Sequence, residues 1–325
     1  MANKASLPPG LLIRTGKWMW TTLWQRMMAQ MAPSNEGGDY QRPPSQCRGW
    51  IELDGPHPPA PQRYRLIVGM GCPWAHRTLI TRAIKGLEEA VGMVVVEPSP
   101  DQGCWVFPTP FRGCRTLPEL YRQAGIAGRA TVPVLWDFQA ATLVNNDSAD
   151  IIQILNQGLN ECAAHPDLDL YPAARKAEID AWNERIYASV NNGVYRCGFA
   201  QTQAAYDQAC GELFDTLDAI EAILATQPYL CGDALTLADV RLFPTLFRFD
   251  TVYYGLFKCN RRRIQDYPAL GRYVQTLYHQ PGVAATCDLA AVKRDYYGNL
   301  FPLNPGGIIP IGPDLPYLAV RSPSQ

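Results

Sequence analysis

The sequence predicts an α/β domain followed by an all-α domain. A buried-strand pattern leads directly into a helix start at residue 72, short strands alternate with helices up to about residue 158, and helical periodicity dominates from about residue 168. A chain of 325 residues is long enough for two domains with separate cores. We therefore expect an N-terminal extension over 1–60, an α/β domain over 61–158, an all-helical domain over 168–298 and a C-terminal strap over 299–325.

The N-terminal extension contains an apolar and aromatic stretch, Leu11 to Met31, that three cations interrupt: Arg14, Lys17 and Arg26. Because no apolar run reaches the roughly 18 residues that span a bilayer, we expect no membrane partner. No signal-peptide cleavage pattern is clear either. The stretch is interpreted as a short amphipathic segment that packs on the body of the protein or on a second subunit.

Four strand patterns and one helix entry define the α/β domain. The strand patterns cover Arg63–Gly71, Val91–Glu97, Thr131–Asp137 and Ala141–Val144. Ser148 is a suitable N-cap for the helix that follows, because Ile151, Ile152 and Leu155 come after it at helical spacing. The resulting order, βαβ followed by ββα, is that of the thioredoxin fold.

Cys72 stands at the junction between the first strand and the first helix of this domain. Pro73 suits the first helical position, where its missing N–H would be unpaired in any residue. The unpaired amides and the helix dipole favour a thiolate there, and Arg77 acts in the same direction, so we expect a lowered pKa for Cys72. Two alternatives stay open: Cys72 is a small buried hydrophobe, or His76 is its base rather than a packing residue.

The helical domain shows a well-defined cap. Ala173–Asn191 and Tyr206–Leu224 have apolar residues at helical spacing. Thr236 is the expected N-cap of a later helix, and Asp239 completes an acidic capping box. This feature predicts a fold but no chemistry.

Charge and cysteine content limit the function classes. The net charge of −1 implies no general attraction to nucleic acid or anionic lipid, and Arg261–Arg263 is interpreted as a solvated face. Ten cysteines occur without any Cys-x-x-Cys pair, which argues against a metal site and a dithiol redox pair. Reduced thiols in a cytoplasmic protein fit this pattern better than a disulfide framework.

Three runs resemble motifs of the xi-class glutathione transferases, the glutathionyl-hydroquinone reductases. They are Cys-Pro-Trp-Ala-His-Arg-Thr-Leu-Ile from Cys72, Thr-Val-Pro-Val-Leu-Trp-Asp from Thr131, and Lys-Cys-Asn from Lys258. The resemblance extends over roughly residues 48–315. It implies a thioredoxin-like domain followed by an all-helical glutathione-transferase domain, a homodimer, and glutathione as co-substrate without a metal.

The resemblance also implies a glutathione site. The backbone of Val132, before a cis-proline turn, would pair with the cysteinyl part of glutathione. Ser148 and the helix amides would bind the γ-glutamyl carboxylate, and Asp147, where the family usually has Glu, the ammonium. Trp105 would lie beside glutathione, and Arg129 is a candidate for a carboxylate. Cys104 departs from the family pattern, and a regulatory disulfide between Cys104 and Cys72 is an open hypothesis.

The family's tyrosines imply the activity. Tyr195, Tyr253 and Tyr296 would surround an aromatic substrate, with Tyr195 and Tyr296 assisting Cys72 in catalysis, although each tyrosine alone reads as a core residue. The expected function is removal of glutathione from glutathionyl-hydroquinones through a mixed disulfide on Cys72. Alternatives are a broader omega-like thioltransferase or dehydroascorbate reductase that uses Cys72, and a non-catalytic interaction module.

Overall fold

The computed structural model describes residues 8–315 and 318, and it confirms an α/β domain followed by a helical domain. Residues 1–7 of the predicted extension and 316, 317 and 319–325 of the predicted strap lie outside the described residues. In chain order the named elements are α1 (Pro9–Met31), β1 (Tyr64–Val68), α2 (Pro73–Ile84), β2 (Val91–Val95), β3 (Glu97–Ser99), β4 (Cys104–Phe111), β5 (Cys114–Thr116), α3 (Leu117–Gln123), β6 (Val134–Asp137), β7 (Thr142–Asn145), α4 (Ser148–Gln153), α5 (Lys176–Ile186), α6 (Gly193–Phe199), α7 (Gln203–Leu224), α8 (Leu237–Arg248), α9 (Pro268–Tyr278) and α10 (Leu289–Asn299).

A four-stranded sheet of order β2-β1-β6-β7 forms the centre of the α/β domain. Strand β1 is parallel to β2 and antiparallel to β6, as the thioredoxin-like prediction requires. Leu66, Ile67 and Val68 are fully buried, because helices cover both faces of the sheet. Helix α2 packs on α4 within this domain and on α8 of the helical domain, so it lies between the two cores.

A second sheet, of order β3-β4-β5, was not predicted. Three prolines, Pro98, Pro108 and Pro110, lie in these strands and suppress the usual strand pattern. The turn between β3 and β4 contains Gly103, whose φ of +62° favours glycine. This sheet positions Trp105 beside the loop that precedes Cys72.

The predicted cap of α8 is confirmed. Asp239 is fully buried, and its carboxylate accepts hydrogen bonds from Thr236 N at 2.8 Å and Thr236 Oγ1 at 2.9 Å. The same carboxylate accepts from Leu230 N at 2.9 Å and from the Tyr273 hydroxyl at 2.8 Å. Asp239 therefore joins the loop before α8 to α9, and so fixes the direction of the helix that carries Arg248.

The extension connects the two domains. Helix α1 buries only Met28, and no helix within residues 8–315 is long and apolar enough to cross a membrane. Further along, Asp39 forms a 2.9 Å ion pair with Arg196 of the helical domain. Gly49 N then donates to Val144 O of β7 at 2.9 Å. Residues 40–48 therefore cross from the helical domain to the α/β domain.

Candidate active site

Cys72 lies where the sequence predicted it, as the N-cap of α2 with Pro73 at the first helical position. Its backbone is extended, at φ −76° and ψ 121°, and its amide donates to Gly69 O at 3.0 Å. The side chain is half-buried, and its Sγ lies 3.8 Å from Val132 O. The Val132–Pro133 peptide bond is cis, as predicted. Cys72 therefore faces the backbone that is the candidate partner of a glutathione cysteinyl group.

The predicted lowering of the Cys72 pKa is wrong. Burial raises the pKa of this thiol above its ordinary value. The amides of Ala75 and Trp74 lower it, as the helix-terminus argument requires, but they do not outweigh burial. The helix amides are local to Cys72, whereas the desolvation of the thiolate comes from the folded cavity around it.

The cations near Cys72 are also different from those expected. Arg248 and Arg42 lower the pKa of Cys72, whereas the buried Arg77 donates to Asn191 Oδ1 at 3.0 Å. Arg42 comes from the extension and Arg248 from the end of α8. Neither residue was identified from the sequence, although Arg248 is a buried cation at the end of α8.

Arg248 holds the loop that precedes Cys72. Its Nε donates to Gly71 O at 3.0 Å and its Nη2 to Met70 O at 3.2 Å. Its Nη1 lies 2.8 Å from His76 Nδ1, and His76 Nε2 lies 3.0 Å from Thr286 Oγ1. Both nitrogens of His76 therefore face these partners, and burial lowers its pKa well below the ordinary value. This geometry favours the packing interpretation of His76 over a base.

Asp295 holds the same loop from the other side. Its Oδ2 accepts a hydrogen bond from Gly71 N at 3.1 Å, and burial raises the pKa of the carboxyl to about 6. A Cβ atom on Gly71 would lie 2.2 Å from Asp295 Oδ2, and one on Gly69 would lie 2.4 Å from the ring of Trp105. Glycine is therefore required at both positions for Asp295 and Trp105 to approach the Cys72 loop.

Tyr195 and Tyr296 meet beside Cys72. Their hydroxyl oxygens lie 2.6 Å apart, and the Tyr253 hydroxyl lies 2.9 Å from that of Tyr296. Burial raises the pKa of Tyr195 and Tyr296 well above the ordinary value and that of Tyr253 to about 12. All three are therefore protonated at neutral pH and can donate hydrogen bonds. Tyr195 and Tyr296 line the cavity around Cys72, whereas Tyr253 is fully buried behind them.

The cavity has a volume of about 480 Å³ and brings together most of the predicted site residues. Trp74, Tyr187 and Tyr195 form its aromatic half, with Trp74 stacked on Tyr195 at 6.4 Å between ring centroids. The candidate glutathione residues form the other half: Trp105, Arg129, Val132, Asp147 and Ser148. Cys104 is a free thiol that is not among the lining residues.

One detail of the glutathione half differs from the prediction. Asp147, rather than Ser148, is the N-cap of α4, and its Oδ1 accepts from Ala149 N at 2.8 Å. Ser148 is the first residue of the helix. Both side chains still line the cavity at the helix N-terminus, where free amides favour an anion.

The described residues include no metal centre. Within residues 8–315, no group of three or more His, Cys, Asp or Glu side chains is arranged to hold a metal ion. All ten cysteines lie in the described part of the chain, and each is a free thiol.

Comparisons with known proteins agree with this arrangement. Family models for the N-terminal and C-terminal domains of glutathione S-transferase match residues 71–157 and 203–276. Glutathionyl-hydroquinone reductase PcpF of Sphingobium chlorophenolicum is 46% identical over 89% of this chain and 95% of its own length. Glutathionyl-hydroquinone reductase YqjG of Escherichia coli is 42% identical over 85% and 90%.

Solved structures show the same similarity. The glutathione S-transferase Xi of Phanerochaete chrysosporium superposes with a TM-score of 0.84 at 41% identity, over 88% of this chain and 96% of that one. The glutathione-bound structure of the Escherichia coli protein YqjG has a TM-score of 0.77 at 41% identity, over 83% and 94%.

Proposed function

The chain belongs to the xi-class glutathione transferases, the glutathionyl-hydroquinone reductase family, and from this membership we propose that it reduces glutathionyl-hydroquinones with glutathione as co-substrate. The observation that carries the proposal is the single cavity around Cys72, with candidate glutathione ligands in one half and hydrogen-bonded tyrosines in the other. A thiol reductase needs the first half, and an aromatic substrate needs the second.

In the first step the Cys72 thiolate attacks the sulfur of the glutathionyl-hydroquinone. A sulfur–sulfur bond forms, the bond between sulfur and the ring carbon breaks, and the electron pair leaves with the ring. The ring carbon takes a proton, so hydroquinone is released. The ring is thereby reduced, and the two sulfurs are oxidised to a mixed disulfide. Tyr195 and Tyr296 are protonated donors in the cavity, which suits them to hydrogen-bond to the ring oxygen and support this proton transfer.

In the second step a further glutathione thiolate attacks the glutathione sulfur of the mixed disulfide. Glutathione disulfide forms, and the Cys72 thiolate leaves. Burial raises the pKa of Cys72 and so makes its thiolate harder to form. This slows both steps, because the thiolate is the nucleophile of the first step and the leaving group of the second. Arg248 and the amides of Trp74 and Ala75 reduce that cost, because each lowers the pKa of Cys72.

We assign the glutathione half by the same proposal. The backbone of Val132 pairs with the cysteinyl group, and Ser148 with the α4 amides binds the γ-glutamyl carboxylate. Asp147 uses Oδ1 as the cap, so Oδ2 is the oxygen for the glutathione ammonium. Trp105 covers the bound peptide, and Arg129, which is exposed, binds a carboxylate. Tyr253 supports the aromatic half through the hydroxyl of Tyr296.

Two further proposals concern assembly and location. We propose a homodimer, because α1 exposes Ile13 and Trp18 by 68% and 69%, and the strap exposes Ile311 by 99%. Light scattering should give twice the chain mass of 36.1 kDa at micromolar concentration, and a monomer would contradict this. A cytoplasmic location is proposed from the ten free thiols. The division into domains at residues 61–158 and 168–298 remains part of the proposal.

The direct test is an assay of the purified protein with glutathione and a glutathionyl-hydroquinone. Free hydroquinone and glutathione disulfide should appear in equal amounts. A second reaction, with glutathionylated cysteamine, measures thiol transfer alone. Turnover of the small disulfide without release of hydroquinone would favour the broader omega-like thioltransferase, and turnover of neither would favour the non-catalytic module.

A further inference from the structure

Arg42 is a cation of the extension that the proposed reaction does not use. It belongs to the segment that crosses between the domains, and it lines the cavity. The segment is anchored at both ends: Asp39 pairs with Arg196 of the helical domain at 2.9 Å, and Cys47 N donates to Asn146 Oδ1 of the α/β domain at 3.0 Å. Its position over the cavity is therefore defined by the fold of both domains.

The surroundings of Arg42 place it in the aromatic half. Its guanidinium carbon lies 3.9 Å from the ring centroid of Trp74, which is stacked on Tyr195. The preceding Tyr40 is buried and contacts the ring of Tyr195 at 6.5 Å between centroids. Arg42 also lowers the pKa of Cys72 and opposes the burial effect on the pKa of Tyr195, so its charge reaches the reacting groups.

The four arginines that line the cavity differ in their partners. Arg48 is paired with Asp150, at 2.7 Å from Nε to Oδ2, and the buried Arg77 donates to Asn191. Within residues 8–315, the guanidiniums of Arg42 and Arg129 have no hydrogen bond or ion pair. Arg129 belongs to the glutathione half, so Arg42 is the unpaired cation that faces the aromatic half.

We propose that Arg42 binds a carboxylate group of the reactants in the aromatic half of the cavity. A guanidinium stacked on a tryptophan keeps its N–H edge free, and this edge matches a carboxylate with two hydrogen bonds. Two sources share that chemistry: a carboxylate on the hydroquinone ring, and a carboxylate of the second glutathione, which attacks the mixed disulfide. This inference rests on the proposed function.

The test compares Arg42→Met, Arg42→Lys and the control Arg185→Met. Arg185 is an exposed arginine that lies 5.6 Å over the ring of Trp182, outside the cavity, so its variant removes a similar stacking contact without touching the site. The substrates are a glutathionyl-hydroquinone, the same compound with a ring carboxylate, and glutathionylated cysteamine. Each reaction is measured with varied substrate and with varied glutathione.

Arg42→Met should raise one KM by about tenfold, as expected for the loss of a charge-assisted hydrogen bond. A rise for the ring-carboxylated substrate alone identifies the ring carboxylate. A rise in the KM for glutathione in all three reactions identifies the second glutathione. Arg42→Lys should retain part of the binding, and Arg185→Met should match wild type.

Unchanged KM values in Arg42→Met, or a fall in kcat alone, would overturn the proposal, because Arg42 would then act only on Cys72 or on the fold. The outcome is separate from that of the proposed function. If wild type releases no hydroquinone, the proposed function fails, but the KM for glutathione with glutathionylated cysteamine still tests Arg42. Binding to the resting protein tests the ring carboxylate without turnover. The affinities of ring-carboxylated and unsubstituted hydroquinone are measured by tryptophan fluorescence in wild type and Arg42→Met.

Discussion

The hydroxyl groups of Tyr195 and Tyr296 share a hydrogen bond of 2.6 Å, and the Tyr296 hydroxyl also meets that of Tyr253. Two of these tyrosines line the cavity and the third is buried behind them. Such a chain holds the two front hydroxyls in place, so that they need little reorganisation when charge develops on a ring oxygen. The proposed hydroquinone reductase needs these donors, whereas a general thioltransferase does not, so the tyrosines offer a test between the two functions.

Tyr195→Phe and Tyr296→Phe should each slow hydroquinone release selectively. Loss of one hydrogen-bond donor to a developing charge slows a reaction by roughly 10²–10³. Because two tyrosines share this role, each single variant should lose about 10² or less in rate. Reduction of glutathionylated cysteamine should hardly change, because it contains no ring. The measurement is kcat/KM for both reactions.

Tyr253→Phe is the matched control, since Tyr253 contacts Tyr296 but does not line the cavity. Its effect should be smaller than that of either front tyrosine. Equal losses in both reactions would instead assign the tyrosines to the fold or to the glutathione half. No loss in either reaction would support the broader thioltransferase.

Cys72→Ser should abolish both reactions while the fold persists. An alcohol cannot form the mixed disulfide, and the half-buried side chain tolerates the exchange of sulfur for oxygen. Mass spectrometry after reaction with the glutathionyl-hydroquinone in the absence of free glutathione should find glutathione attached to wild type and absent from the variant. Cys104→Ser, which changes a free thiol that does not line the cavity, should keep the activity. Substantial turnover by Cys72→Ser would remove Cys72 from the mechanism.

Local signals were sufficient to predict the parts of the site that one short segment encodes. A strand, Cys72 and Pro73 follow one another directly, and Thr236 and Asp239 form a cap within one turn, so neighbouring residues determine both. Local signals did not decide which residue caps α4: Ser148 was predicted as the N-cap, and the structure has Asp147 there. Both are good caps at adjacent positions, and only the backbone decides between them.

The clamp on Gly71 could not be predicted in this way. Arg248 and Asp295 are far from Cys72 in sequence, and their role depends on how α8 and α10 pack against the α/β domain. The same is true of Arg42, whose segment reads only as a polar linker. The direction of the Cys72 pKa was missed because desolvation is a property of the assembled cavity, whereas the helix amides are local.

Asp295 should give the activity an acidic limb near pH 6. Burial raises the pKa of this carboxyl to about 6, against the lowering effects of Arg294, the Gly71 amide and Arg248, while Glu97 adds to the rise. Above that pH a charged carboxylate accepts the hydrogen bond of Gly71 N, and below it the bond weakens. A pH profile of kcat/KM should therefore lose the contribution of Asp295 in Asp295→Asn and keep the rise at higher pH that reports formation of the Cys72 thiolate.

The same shift has a stability effect with a defined sign. Between about pH 4 and 6 the native carboxyl holds a proton that the unfolded one, with a pKa of about 3.9, has lost. The contribution of Asp295 to stability is thus present below about pH 4 and is lost as the pH rises through 6. Urea unfolding at pH 4 and pH 7 should show this loss in wild type relative to Asp295→Asn. An equal difference at both pH values would contradict the raised pKa.

Asp239→Ala should destabilise the fold more than any substitution at an exposed cap. The buried carboxylate accepts four hydrogen bonds, from Leu230 N, Thr236 N and Oγ1, and the Tyr273 hydroxyl. Its removal leaves buried donors without partners, each of which costs about 1–3 kcal/mol, so we expect a loss of roughly 3–5 kcal/mol in the free energy of unfolding. Urea unfolding at pH 7 measures it.

Two milder variants keep this prediction testable if Asp239→Ala does not fold. Thr202→Ala removes the N-cap of α7, where Thr202 Oγ1 accepts from Ala205 N at 3.2 Å, and should cost roughly 0.5–2 kcal/mol. Tyr273→Phe removes one donor from Asp239 and should cost about 1 kcal/mol. Asp239 also directs α8, which ends at Arg248. A variant that loosens α8 should therefore slow hydroquinone release and reduction of glutathionylated cysteamine together. A loss for Asp239→Ala no larger than that for Thr202→Ala would show that the buried network adds nothing beyond an ordinary cap.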